Sequence, residues 1–137
     1  MATGLAIAMA DGGIVSTGIE LAAMLKEVRG AAKKYPTNSI IQVAFGRKSN
    51  YTAPDAKSED TQSDALIDQA IDRINAALAV AAGKASNTEV AEYKQFICDC
   101  GMAAASAAGK GPFGTGREKV SEAETAALTK IKAALGI

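Results

Sequence analysis

Three stretches carry residue types that could do chemistry. The run Gly109-Lys110-Gly111-Pro112-Phe113-Gly114-Thr115-Gly116-Arg117 leads toward a helix start, which favours anions, and Lys110, Arg117 and Lys119 add positive charge. A phosphate loop, however, needs the spacing G-x-x-x-x-G-K-[ST] and a preceding strand, and this run has neither. It reads as a connecting loop. Asp64, Asp68 and Asp72 recur at i+4, a like-charge ladder that could hold a cation loosely but reads as a solvated helix face. Cys98 and Cys100 stand two positions apart, so on a helix they point about 200° away from each other. That spacing suits neither a bridge nor joint chelation. It predicts a buried Cys100 and a more peripheral Cys98, both free, as in a reducing compartment. Histidine is absent, which removes the commonest general base and metal ligand. No set of residues composes an active site, and the chain is expected not to be an enzyme.

The elements that would position these residues all read as helices. Residues 2–10 form a short apolar helix broken by Asp11-Gly12-Gly13. A second helix follows, capped by Ser16 or Thr17, with the stripe Leu21, Met24, Leu25, Val28 and Ala32. Glu20 sits near its positive end and Lys33-Lys34 near its negative end. Tyr35-Pro36 stops it, because the residue before proline avoids helical backbone. Residues 38–45 contain Ile40, Ile41, Val43 and Phe45, which would suit a strand. A lone strand has no partner, so a short helix capped by Thr37 or Asn38 is the better reading. Residues 46–60 are polar and are expected to form a mobile loop.

Residues 61–82 are expected to form the longest helix, capped by Ser63, with the stripe Leu66, Ala70, Ile71, Ile74, Ala77, Leu78 and Ala81. Gly83 ends it, and the short link through Lys84-Ala85 predicts that the next helix returns antiparallel beside it. That helix opens with a capping box, Ser86 and Glu89, and carries Val90, Tyr93, Ile97, Cys100 and Ala104 on one face with Phe96 beside them. Gly109 and Gly111-Pro112 stop it. A second capping box, Ser121 and Glu124, opens the last helix. Its stripe is Ala127, Leu128, Ile131, Ala134 and Leu135, and Gly136 is its stop. The expectation is an all-α fold: one domain over residues 1–137, a compact orthogonal bundle of about five to six helices.

Nearly half of the 137 residues are apolar, enough for a core, but tryptophan is absent and aromatics are few. The core must therefore be largely aliphatic and alanine-lined. Fifteen acids balance fifteen bases, so no net field recruits nucleic acid or an anionic membrane. No apolar run approaches the roughly 18 residues a membrane span needs. The apolar start lacks a preceding basic residue and is too short for a secretory signal. A cytoplasmic location is the expectation.

The two ends of the chain echo each other. Val15-Ser16, Glu20 and Ala22-Ala23-Met24-Leu25-Lys26 match Val120-Ser121, Glu124 and Ala126-Ala127-Leu128-Thr129-Lys130, with one residue of offset. Two related units about a pseudo-twofold axis would produce this. The layout, with Asp11-Gly12-Gly13-Ile14-Val15-Ser16 in the first unit and Val120-Ser121-Glu122-Ala123-Glu124 in the second, resembles the TerB-like tellurite-resistance family of compact helical domains. The stretch from Phe113-Gly114 through Val120-Ser121 to Glu124 also looks like the C-terminal hallmark of an uncharacterised bacterial helical family. The TerB resemblance implies a bacterial, stress-associated protein-binding module whose acidic loops take up a divalent cation such as calcium. A hard cation wants several oxygen ligands. Asp11 and Glu20 in one unit, and Glu118, Glu122 and Glu124 in the other, are the residues that could supply them. The chain departs from the family where Glu20 is displaced and where Arg117-Glu118 replaces Asp-Gly. The alternative expectation is a structural, self-associating helical protein.

Overall fold

A computed structural model of the chain describes residues 14–46, 63–108 and 120–137. These form five helices: α1 Ile14–Lys34, α2 Ser39–Phe45, α3 Ser63–Ala81, α4 Asn87–Ala108 and α5 Glu122–Leu135. The fold is all-α, and no strand occurs among the described residues. The expected helix at 2–10, most of the expected loop at 46–60 and the glycine run from Gly109 to Arg117 lie outside them.

α4 is the element around which the others are arranged. Phe96, Ile97, Cys98, Cys100, Ala104, Ala105 and Ala107 are all buried, so the helix is covered well beyond a single stripe. α1 has its most extensive packing against α4, α2 packs on both, and α5 packs on α4 and on α3. Cys98 is therefore a core residue and not the peripheral one expected, because neighbours lie on opposite sides of the helix. Of the helix expected at 61–82, residues 63–81 are described and are helical throughout. The alanine-rich end of α4 has high helix propensity and carries it to Ala108.

α1 turns Met24, Val28 and Ala31 inward, with Leu21 and Leu25 partly buried beside them. Ala31 takes the core position expected of Ala32. The helix already includes Val15, Ser16 and Thr17, so neither Ser16 nor Thr17 caps it. α1 ends at Lys34, before Tyr35-Pro36. In α2 the ambiguity between strand and helix is settled by Asn38. Its backbone is extended and its Oδ1 accepts from the Ile41 amide at 3.1 Å, which caps the helix.

α3 buries Ile67, Ala70, Ile74 and Ala81. Ile67 was not part of the expected stripe. The described helix begins at Ser63 itself. Gly83, with φ of 73°, reverses the chain after α3. The turn is short, yet the main packing partner of α3 is α5 and not α4. α5 starts with the capping box in full: the Ser121 amide donates to Glu124 Oε2 at 2.7 Å, and the Glu124 amide donates to Ser121 Oγ at 3.2 Å. It ends at Gly136, φ 67°, where the Gly136 amide donates to the Ala133 carbonyl and the Ile137 amide to that of Lys132. That pairing is a Schellman motif.

One continuous apolar cluster joins all five helices. Ala31, Ala70, Ala104, Ala105 and Ala127 are at most 1% exposed. They permit close helix approach but bury little area each, so larger side chains such as Met24, Ile41, Phe96, Ile131 and Leu135 carry most of the stabilisation, at about 1.5–3 kcal/mol apiece.

Candidate functional site

The acids expected to bind a cation do not share one fate. Asp11 and Glu118 lie outside the described residues. Glu122, the first residue of α5, is exposed. Glu20 is fully buried, one turn before Met24 on the inner face of α1, and Glu124 is only 1% exposed. Neither faces water, although a charged carboxylate favours exposure. Glu124 spends Oε2 on the Ser121 cap, while Oε1 is buried with no hydrogen-bond partner among the described residues. Among those residues no group of three or more Asp, Glu, Cys or His side chains is placed to hold a metal ion.

The echo between the chain ends is reproduced in burial and not in local structure. Glu20 and Glu124 occupy matching places and are both buried. Ser121 is an N-cap, whereas Ser16 lies inside α1.

A polar joint that was not expected ties α1 and α2 to α4. Asn38 is fully buried, and its Nδ2 donates to the Glu89 carbonyl at 2.8 Å and to Glu92 Oε2 at 2.9 Å. Glu89 serves two helix starts at once. Its Oε1 accepts from the Ser39 amide at 2.8 Å, and its Oε2 accepts from the Ser86 amide and Oγ, each at 2.9 Å. Gln42 Nε2 donates to the Ala32 and Tyr35 carbonyls, satisfying the end of α1. The Ser86–Glu89 box and the Asn38 cap were both visible in sequence. Their meeting was not, because the two starts are about fifty residues apart.

Beside this joint, Lys34 Nζ lies 2.7 Å from Asp99 Oδ2 and 3.8 Å from Glu27. Tyr35 Oη and Gln95 Nε2 also donate to Asp99. Burial pushes the Asp99 carboxyl up, but the hydrogen bonds from Lys34 and Gln95 outweigh it and leave it below its ordinary value. With the Lys34 side chain 48% exposed, this pair contributes about 0–1 kcal/mol. These polar groups are spent on helix ends and helix pairing.

Hydrogen bonds from Ser39 and then Ser86 hold the Glu89 carboxyl down at about 2, against an ordinary 4.5. The folded state therefore binds this proton more weakly than the unfolded chain does. The stabilisation is complete above pH 4.5 and is lost as pH falls toward 2. Acid unfolding followed by circular dichroism is expected to be less steep in this window for Glu89→Gln than for the wild type. Equal slopes would show that the double cap does not form in solution.

Both cysteines are free. Burial raises the Cys98 thiol and pushes Cys100 up to about 12, so neither is a ready thiolate. No family model matches the chain, and neither a curated protein nor a solved structure matches it. No helix among the described residues is long and apolar enough to cross a membrane.

Proposed function

We propose that this protein is a non-enzymatic helical binding module of TerB-like type, bacterial and cytoplasmic, which engages a protein partner and takes up a divalent cation. The observation that carries this reading is the burial of Glu124, the glutamate of the second unit of the chain-end echo. A buried carboxylate is costly unless it is hydrogen-bonded or paired with positive charge. Glu124 Oε1 has no hydrogen-bond partner among the described residues, and the sequence sets Glu118 six residues before it. A calcium ion at Glu124 would offset the cost of burying its carboxylate. The non-enzymatic part is supported by the absence of histidine and by the use of Glu89, Glu92 and Asp99 in helix joints.

Calorimetric titration of chelator-treated protein with calcium tests the cation. Heat at sub-millimolar ion and a raised Tm are expected for the wild type, with both much reduced in Glu124→Gln, which keeps a side chain able to cap. No heat and no thermal shift at millimolar ion removes the cation. Genes for tellurium or general stress resistance beside this one would support the stress association, and capsid or filament genes would count against it.

A second reading, self-association, is favoured by one surface. Residues 75–83 carry no charge, and within them Ala76, Ala79, Ala82 and Val80, the last at 66% exposure, face outward from α3 and the turn after it. A strictly monomeric mass by light scattering at high concentration eliminates this reading. A dimer that dissociates in Val80→Lys supports it.

A further inference from the structure

We infer that α2 is a separable strap, able to leave α4 while α1, α4 and α5 remain folded, and that its release uncovers Phe96. The helix has seven residues, of which Ile41 alone is fully buried, while Val43 is 85% exposed. So short a helix does not persist without tertiary contacts, isolated helices under roughly 12–15 residues being marginal in water. Its polar ties are side-chain pins: Asn38 to Glu89 and Glu92, Glu89 back to the Ser39 amide, and Gln42 to the Ala32 and Tyr35 carbonyls. α1 does not depend on it, because α1 packs directly and most extensively against α4.

What the strap covers is apolar. Phe96 is 3% exposed, with the ring centroids of Phe45 at 5.3 Å and Tyr35 at 6.3 Å, both edge-on. Lifting α2 removes Phe45 and Ile41 and leaves an aromatic recess between the end of α1 and the first half of α4. Regions with few buried contacts open locally below the free energy of global unfolding. This device does not require a bound cation and is independent of the binding reading above.

Native-state hydrogen exchange on the full chain, across low urea concentrations, tests it. The amides of Val43, Ala44 and Phe45 are expected to exchange at least about tenfold faster than those of Ile97 and Cys98, with little dependence on urea. Gln42→Ala is expected to speed the α2 amides by a further factor of about five, the loss of a typical hydrogen bond, without changing Ile97 or Cys98. If the α2 amides exchange at the same rate and with the same urea dependence as Ile97 and Cys98, α2 opens only when the whole protein unfolds and the strap is refuted. The same holds if Gln42→Ala speeds all of them equally.

Discussion

Replacing Phe96 by alanine is expected to lower the unfolding free energy by about 3–5 kcal/mol, the cost of emptying a well-packed aromatic site. Phe96 is where three elements meet: it lies in α4, touches Phe45 from α2 edge-on at 5.3 Å, and touches Tyr35 from the end of α1 at 6.3 Å. Truncation leaves Phe45 and Tyr35 facing a void. Because whole domains are stable by only about 5–15 kcal/mol, this one change removes a large share of the total. Phe96→Leu, which fills most of the volume, should cost far less. Val43→Ala, at a position 85% exposed, should stay within about 0.5 kcal/mol. Urea unfolding followed by far-ultraviolet circular dichroism measures all three, since the chain has no tryptophan reporter. A cost below about 1 kcal/mol for Phe96→Ala would mean that α2 does not pack on α4 as described.

The second large effect is expected at Asn38, where charge and not volume decides. Asp and Ser are both good N-caps, so Asn38→Asp and Asn38→Ser each preserve the bond to the Ile41 amide. Only aspartate sets a carboxylate against Glu92 Oε2 and the Glu89 carbonyl, the two acceptors that Nδ2 now satisfies at 2.9 and 2.8 Å. Stranding buried acceptors costs about 1–3 kcal/mol, these part-buried ones toward the lower end, and a like charge adds to it. Asn38→Asp is therefore expected to lose about 2–4 kcal/mol at pH 7, more than Asn38→Ser, and to regain part of it near pH 4 as a carboxyl takes up a proton. Equal costs for the two variants at neutral pH would show that the amide does not meet Glu92 in solution. The orientation of the amide is secured by its surroundings, since the Ile41 N–H demands an acceptor where Oδ1 stands.

The helix ends were legible in sequence because their signals are local. Ser86 with Glu89, Ser121 with Glu124, Asn38 before its helix, Tyr35-Pro36 after α1 and Gly136 after α5 each act within three or four residues, and each stands where expected. Stripes were legible for the same reason: Met24 with Val28, Ile97 with Cys100, and Leu128 with Ile131 and Leu135 repeat at the helix period and all are buried. The Ser16 cap failed because a local signal can be overridden where the helix has already begun.

Tertiary structure alone decided the rest. Periodicity assigns one inward face to each helix, so it misplaced Cys98 on a helix that has neighbours on more than one side. Chain proximity suggested that α3 lies beside α4, yet α3 found its main partner in α5, some forty residues further on. Charge predicts exposure, yet Glu20 and Glu124 are buried, because their positions on α1 and α5 fall on the faces those helices turn inward. The double use of Glu89 depends on two helix starts meeting in space. Capping and periodicity are short-range free energies written into neighbouring residues. Burial and pairing are set by which faces the folded chain brings together, and that is a property of the whole assembly of helices.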